Sequence, residues 1–494
     1  MVEKILLLGE CSREHAIAEA ISRTVHKVKL YALMKHVNPG IRRCCKATGG
    51  DIVIGDFLNP ETVLKVVNDL SIDLVVIGPE EPLFRGVVDF VEDKAGIPCI
   101  GPRRVVAQVE QSKAFMRRLM WKYDIPGRLR FWTFRSVGEA IEYVRDTGES
   151  VAIKPARQVG GKGVKVIADF QAYLRDVRSR VKEYHVSKVF EEVSKYSDIE
   201  DRVLIEEKVE GIEYTLQCFT DGINILPLPL VQDYKHAFEF GIGPETGGMG
   251  SIMDRDYTLP FITREEYERS VEIVKKIVDA LRRETGIEYR GIISGQMMLT
   301  PIWGPTIIEC YARFGDPEGV NVLSVLKTDI VDIFEAILSK SLPKIKLEFE
   351  NYAVVVKAIA PAGYPLNKKI AQGHVVEIDE SKIVEKGCKV YYGSIDERDG
   401  KLITVGSRTV EIAGFGENIP EASRKVNNVI LSNHVRILNW RMIYRLDIGS
   451  EDSIKKMIEQ AENIRKAYKS RRIERYEIKE WIPGKGLVIY RYVE

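Results

Sequence analysis

The run Ile308-Glu309-Cys310-Tyr311-Ala312-Arg313-Phe314-Gly315-Asp316-Pro317-Glu318 concentrates more chemistry than any other stretch of this chain. An apolar strand, Thr306-Ile307-Ile308, delivers a carboxylate, then an arginine, then a Gly-Asp-Pro turn and a further carboxylate. A carboxylate offers hard oxygen to a divalent metal. An arginine neutralises a phosphate or a substrate carboxylate with a planar fork of donors. Together they are what a site needs to hold magnesium against a nucleotide and to offset the charge of a transferring phosphate. A strand end with a charged turn would read the same in isolation, so the weight falls on what accompanies the run.

Two glycine-rich stretches accompany it. Val151-Ala-Ile-Lys-Pro155 reads as a strand, followed by Ala156-Arg-Gln-Val-Gly-Gly-Lys-Gly163 and a second strand over 164–167. Lys162 is followed by Gly163 rather than Ser or Thr, and by a strand rather than a helix, so this is not a Walker loop. It is a β-hairpin whose tip, Gly160, Gly161, Lys162 and Gly163, folds over phosphates, with Lys154 reaching them from the strand. A plain mobile hairpin is the simpler alternative. Val203-Leu-Ile-Glu-Glu207 is a strand ending in Glu206 and Glu207, with Glu213 just after. Carboxylates at a strand edge take an adenine amine and ribose hydroxyls, or are solvated surface. Asp233 and Lys235 precede Gly243-Pro-Glu-Thr-Gly-Gly-Met-Gly250. That stretch has too many glycines for a stable element and suits close approach of backbone to substrate.

The elements that must position these residues begin with a continuous apolar strand over 4–8, ending at Gly9, and a helix around 15–23. Strand candidates at 28–32, 52–54 and 72–77 alternate with helices at 60–70 and 86–95, which predicts an open parallel sheet. Ligands sit at the carboxyl ends of such strands, here the loops Gly9 to His15 and Gly78 to Pro82. Only Gly9 of a G-x-G-x-x-G fingerprint is present, which disfavours a nicotinamide enzyme. Arg13 and His15 near a helix start can hold a phosphate monoester. A histidine bonded to its own loop fits the local pattern equally well.

At 494 residues the chain exceeds what one core holds, so two to four domains are expected. Its 45% hydrophobic and 29% charged residues fit a globular protein, and a formal charge of +1 gives no whole-molecule attraction to nucleic acid or membrane. The apolar runs are strand-length, far below the ~20 residues of a membrane span. The first nine residues are too acidic for a signal peptide and read as a first strand. Seven cysteines, an odd number without a C-x-x-C pair, argue against zinc and a disulfide framework and for a reducing cytoplasm. From about 350 short strands with Gly, Asn and Asp turns and a helix over 420–432 predict a small mixed domain. Beyond 450, Ile454, Met457, Ile458, Ala461 and Ile464 form a helical stripe, and 487–493 reads as a strand.

Taken in order, these motifs resemble the ATP-grasp enzymes, and among them the phosphoribosylamine–glycine ligase family. The resemblance covers about 4–449. It is carried by Arg13-Glu-His-Ala, Gly78-Pro-Glu-Glu-Pro-Leu, Ser112-Lys-Ala-Phe, Gly160-Gly-Lys-Gly, Ile205-Glu-Glu, Gly243-Pro-Glu-Thr-Gly-Gly-Met-Gly, Arg313-Phe-Gly-Asp-Pro-Glu, Gly406-Ser-Arg and Tyr444-Arg-Leu-Asp-Ile-Gly. It implies a multidomain α/β and α+β fold: an N-terminal parallel open sheet that binds substrate (1–110), an ATP-grasp lid region (111–200), an ATP-grasp catalytic domain (201–345), a C-terminal mixed domain (346–449) and an extension (450–494). It implies joining of glycine to 5-phosphoribosylamine through glycyl phosphate, with ATP as co-substrate and Mg2+ or Mn2+, by a cytoplasmic monomer or homodimer. By motif match, Lys113, Lys154, Lys162, Glu206, Glu207, Val209 and Glu213 serve ATP, and Glu309 the metal. Arg313, Lys235 and Asp233 serve catalysis, and Arg13, His15, Gly78, Glu80, Gly247 and Gly248 the substrates.

The sequence departs from the family pattern where Tyr311 replaces an asparagine that supplies a second metal ligand. It departs again at Gly9-Glu-Cys-Ser, at Glu245 and at Phe238-Glu-Phe-Gly241. These changes admit two alternatives: a diverged nucleotide-binding paralogue without turnover, or an ATP-grasp ligase for another acid and amine.

Overall fold

The computed structural model describes residues 2–134, 151–155, 203–471, 476–482 and 486–492. The glycine tip with Gly160, Gly161, Lys162 and Gly163, and the strand expected over 164–167, lie outside the described residues.

Strands β1 (Lys4–Leu8), β2 (Lys29–Met34), β3 (Ile52–Ile54), β4 (Leu74–Ile77) and β5 (Cys99–Ile100) form one parallel sheet of order β3-β2-β1-β4-β5. The continuous apolar runs reflect burial on both faces. Leu6, Leu8, Val75 and Ile77 enter one core, while Ile5, Leu7, Leu74 and Val76 enter another. The connections reverse direction between β1 and β4, which opens a crevice at their carboxyl ends. Gly9 follows β1 with φ +119, and a Cβ there would stand 2.6 Å from Glu14 Cγ and 2.9 Å from Pro79 Cδ. The two loops singled out from the sequence therefore touch. The helix that follows runs Ser12–Ser22, and its Glu14 carboxylate accepts from the Cys11 N–H at 2.8 Å.

Helices Arg104–Gln111 and Lys113–Lys122 lead to β6 (Phe131–Phe134), β7 (Val151–Pro155) and β8 (Val203–Glu207), an antiparallel sheet of order β6-β8-β7. The chain then lays down β9 (Ile212–Thr220), β10 (Ile225–Pro227), β11 (Gln232–Asp233), β12 (His236–Phe238), β13 (Ile242–Glu245) and β14 (Gly250–Met253). After the long helix Arg264–Thr285 it returns as β15 (Gly291–Thr300) and β16 (Gly304–Tyr311). The antiparallel sheet β10-β9-β15-β16 is the floor of the site.

The glycine-rich stretch after Lys235 is more regular than its composition predicts. Its first part is β13, paired with β12 in a short hairpin, and its last glycine opens β14. Gly243 is what permits the hairpin: it sits at φ +90, and a Cβ would fall 2.4 Å from the Phe238 ring.

The C-terminal strands are β17 (Ala353–Pro361), β18 (Gln372–Ile378), β19 (Cys388–Tyr392), β20 (Ile395–Arg398), β21 (Lys401–Val405), β22 (Val410–Gly416), β23 (Val435–Ile437) and β24 (Met442–Ile443). One of their sheets runs β11-β14-β17-β22-β19, so β11 and β14 join the strands of the C-terminal region. Helix Glu451–Ser470 buries Ile454, Ala461 and Ile464, as its stripe predicts. It is followed by the antiparallel pair β25 (Tyr476–Ile482) and β26 (Gly486–Tyr492), with β25 lying against β6. Among the described residues no helix is long and apolar enough to cross a membrane.

Candidate active site

Successive residues of a strand face opposite ways, so every second residue shares a face. On β9 the alternation Glu213, Thr215, Gln217 interrupts Tyr214, Leu216 and Cys218. On β15 it is Ser294 and Gln296, and on β16 Glu309 and Tyr311. The register aligns these polar residues across three strands. Gln296 stands opposite Thr215 and Glu309, and Ser294 opposite Gln217 and Tyr311. One face of a buried sheet is thereby polar.

The contacts on that face are specific. Gln296 Nε2 donates to Glu213 Oε2 at 2.9 Å and to Asp233 Oδ1 at 3.1 Å, while its Oε1 accepts from Thr215 at 2.8 Å. Lys235 Nζ lies 3.3 Å from Glu213 Oε2 and 4.0 Å from Asp233 Oδ2. Tyr311 donates its hydroxyl proton to Glu309 Oε2 at 2.7 Å, and the Lys113 ammonium pairs with Glu309 Oε1. The Arg313 guanidinium lies over the Tyr311 ring, 4.7 Å from its centroid. Glu309 offers carboxylate oxygen, the donor type that a magnesium-type ion takes, and the cation it carries in this structure is the Lys113 ammonium.

Arg313 links this face to the crevice of the parallel sheet. Its Nε donates to Glu80 Oε2 at 3.2 Å, and Nη2 lies 3.4 Å from Glu110 Oε1. Glu110 accepts from the Ala312 N–H at 2.6 Å, and Ser294 from β15 donates to the Arg313 carbonyl at 2.7 Å. Arg13 donates to the Phe314 carbonyl at 3.0 Å, and Ser12 to Asp316 at 3.1 Å. Arg408 binds Asp316 and the carbonyls of Gly247 and Gly248. Tyr364 accepts from the Gly247 N–H at 3.0 Å.

The electrostatics are those of a charged, partly buried cleft. Burial lifts Glu318 to about 7, with Asp233 adding to the rise. Burial likewise lifts Glu110 to about 7 against the pull of Arg313. Burial also raises Asp233, opposed by Lys235. Burial works against charge on Lys235, yet Tyr311, Asp233, Glu213 and Glu309 together hold its ammonium well above the usual range. Glu80 ends below the usual carboxylate range because Arg313 and Arg13 outweigh its burial.

Three family models match in succession. They are the phosphoribosylglycinamide synthetase N domain over residues 3–110, its ATP-grasp (A) domain over 111–319 and its C domain over 354–451. The chain belongs to the phosphoribosylglycinamide synthetase family. A Methanopyrus kandleri phosphoribosylamine–glycine ligase is 42% identical over 94% of this chain and 99% of its own length. The crystal structure of a Thermotoga maritima phosphoribosylamine–glycine ligase superposes with a TM-score of 0.70 at 25% identity, covering 90% of this chain and 99% of that one. The biotin carboxylase domain of a Hydrogenobacter thermophilus 2-oxoglutarate carboxylase, solved with MgADP, shares the fold at 15% identity. Its TM-score is 0.67, over 96% of this chain and 100% of that one. ATP-grasp ligases use ATP, and helix Glu451–Ser470 with the pair β25–β26 lies beyond the family's C-domain model.

The structure gathers most of the residues picked from the family pattern. Lys113, Glu213, Asp233, Lys235, Glu309 and Arg313 share the polar face, and Arg13, Gly78, Glu80, Gly247 and Gly248 rim the crevice. Three residues sit differently from that expectation. His15 is buried, accepts from the Tyr392 N–H on Nδ1 at 3.0 Å, and packs on the rings of Tyr391 and Tyr392. Glu206 Oε1 accepts from Arg117 Nε at 2.7 Å, and Arg117 also donates to the Ile307 and Ile308 carbonyls. Glu207 accepts from Arg130 and from Trp303 Nε1 at 2.8 Å. Val209 follows β8, half-buried, and Lys154 lies on β7 opposite Leu204.

Thr215, Gln217, Ser294 and Gln296 join the site without a motif of their own, and their period-two spacing in apolar strands is the signal they carry. Glu110 reaches the site only through tertiary contact, whereas Asp316 and Glu318 stand in the run around Arg313 and Arg408 in the Gly406-Ser-Arg motif.

Proposed function

We propose that this chain joins glycine to 5-phosphoribosylamine at the cost of ATP, giving glycinamide ribonucleotide, ADP and phosphate in de novo purine biosynthesis. The observation that carries the reading is the row Glu309, Tyr311, Arg313, which connects a metal-type carboxylate to the crevice of the parallel sheet. A carboxylate is a poor acyl donor until one of its oxygens carries a phosphate. The glycine carboxylate oxygen attacks the γ-phosphorus, the bond to the ADP oxygen breaks, and glycyl phosphate forms. The ribosylamine nitrogen then attacks the acyl carbon. The C–O bond to phosphate breaks, and the nitrogen gives up a proton.

In this reading Arg313 and Lys235 offset negative charge on the phosphoryl oxygens and the glycine carboxylate. Asp233, Glu213 and Gln296 hold Lys235 in place. Lys113, Lys154 and Lys162, with Gly160, Gly161 and Gly163, face the ATP phosphates, and Val209 lies against adenine. Glu206 and Glu207 fix the strand edge that the adenosine meets. Arg13, Gly78, Glu80, Gly247 and Gly248 bound the space for the two substrates, and His15 holds the Arg13 helix in position. Glu309 would hold Mg2+ or Mn2+, which would supply charge screening for the ATP phosphates. All seven cysteines are free thiols, which supports a cytoplasmic enzyme; in this reading it is a monomer or homodimer.

The test is ADP release from purified protein with magnesium-ATP, glycine and freshly generated phosphoribosylamine, each omitted in turn. Release requiring all three is expected, with Arg313→Ala and Lys235→Ala lowering kcat by about 10²–10³. Bound ATP without release would transfer the protein to the nucleotide-binding paralogue. Release with a different acid or amine would make it another ligase.

A further inference from the structure

Tyr311, the last residue of β16, stands between Glu309 on the strand and Arg313 in the bend that follows, and each end of its side chain does something different. The hydroxyl donates to Glu309 Oε2 at 2.7 Å. The ring face carries the Arg313 guanidinium at 4.7 Å, a separation at which a cation is attracted to the ring quadrupole. Glu309 Oε1 meets the buried Lys113 ammonium, so its two oxygens are differently engaged: one by a neutral donor, one by a cation. An incoming metal displaces an ammonium by charge exchange. It does not gain by displacing a phenol that already orients the carboxylate.

From this we propose that Tyr311 is a positioning residue that makes Glu309 a one-oxygen metal ligand, fixing Oε2 and presenting Oε1, while its ring holds Arg313 at the other end of the row. The inference rests on Glu309 being a metal ligand, as read above. It also gives the departure at this position a role. A side chain too large and too neutral to be a good ligand instead orients the ligand beside it, and outer contacts of this kind set metal affinity by about 10–100-fold. Glu309 and Tyr311 share one face of β16, and Arg313 follows in the bend just past the strand's end at Tyr311.

Tyr311→Phe removes the hydroxyl and keeps the ring under Arg313. The experiment titrates Mg2+ into protein with ADP, without glycine or amine, and reads ADP affinity by calorimetry, with melting temperature as the check on folding. Tyr311→Phe is expected to need about tenfold more Mg2+ to reach half of the metal-dependent gain in ADP affinity, while its metal-free ADP affinity matches the parent. Glu309→Gln, run alongside, is expected to lose the metal-dependent gain. If Glu309→Gln loses the gain and Tyr311→Phe titrates like the parent, the role of Tyr311 is overturned and the metal assignment stands. If Glu309→Gln keeps the gain, the metal assignment itself fails. Tyr311→Asn separates positioning from ligation: tighter Mg2+ binding than the parent would mean that Tyr311 merely occupies a ligand's place, and overturns the proposal.

Discussion

Arg408 and Asp316 form a largely buried ion pair, Nη2 to Oδ2 at 2.7 Å, where the C-terminal region meets the Gly-Asp-Pro turn. The other terminal nitrogen donates to the carbonyls of Gly247, Gly248 and Asp316. One guanidinium therefore fixes both the glycine loop and the turn. Burial alone would raise Asp316; Arg408 and Arg13 bring it below the usual range. Arg408→Met is expected to cost about 3–5 kcal/mol in urea unfolding, because it strands a buried carboxylate, and to abolish turnover. Arg408→Lys restores the charge without the fork and should recover only part of each. An unchanged unfolding midpoint in Arg408→Met would remove the pair from any account of stability.

His15 sets a pH dependence of opposite origin. Burial lowers it to about 4 in the fold, against about 6.5 in an unfolded chain. Between those values only the unfolded chain takes up the proton, so stability falls as pH drops from about 6.5 to about 4. The loss amounts to roughly 3 kcal/mol. His15→Gln should be weaker at pH 8, where the Tyr392 contact is impaired, yet show a shallower decline with acid. Urea midpoints at half-unit pH steps measure this, and parallel profiles for the two proteins would exclude His15 as the cause.

The extension is pinned by Arg465, whose Nε and Nη2 each lie 2.8 Å from an oxygen of Glu266 and whose Nη2 also donates to the Phe261 carbonyl at 2.7 Å. Tyr468 receives a further bond from Arg269 at 3.1 Å. Arg465→Ala should lower stability by about 1–2 kcal/mol. Removal of residues 451–494 should lower the melting temperature further, since it also uncovers the surface beneath Ile454, Ala461 and Ile464. Calorimetry that found the truncated chain as stable as the parent would make the extension dispensable for the fold.

Gln296 bridges Glu213 and Asp233 around Lys235. Gln296→Met removes a donor at similar volume and should reduce kcat/KM for ATP about tenfold. Gln296→Glu adds a third carboxylate and should do worse. Equal kinetics for the two variants would show that the amide acts by volume rather than by hydrogen bonding.

Much of this was readable in the sequence where the signal is local. The apolar run at Ile5 to Leu8 requires an interior parallel strand, and Gly9 requires a turn that only glycine tolerates. Glu309 and Arg313 declare their chemistry by type. Glu206, Glu207 and His15 also stand out by type, but type does not say whether a carboxylate or an imidazole faces a ligand or the protein. Which partner it takes depends on residues such as Arg117, Trp303 and Tyr392 that arrive from elsewhere in the chain. Arg408 lies 92 positions from Asp316, and no spacing rule connects them. The hairpin at Gly243 is not legible from glycine density alone, because the glycine is required by the Phe238 ring that needs the room.

Because β14 hydrogen-bonds to β17 along Gly250 to Met253, the catalytic and C-terminal portions cannot be exchanged like modules. A fragment ending near residue 345 would carry a bare strand edge, an invitation to intermolecular pairing. A chimera with a relative would have to match the side chains of β14 to a foreign β17. Recombination between members of the family should therefore succeed when the crossover leaves the stretch from Ile212 to Gly449 in one parental piece, and fail when it falls inside.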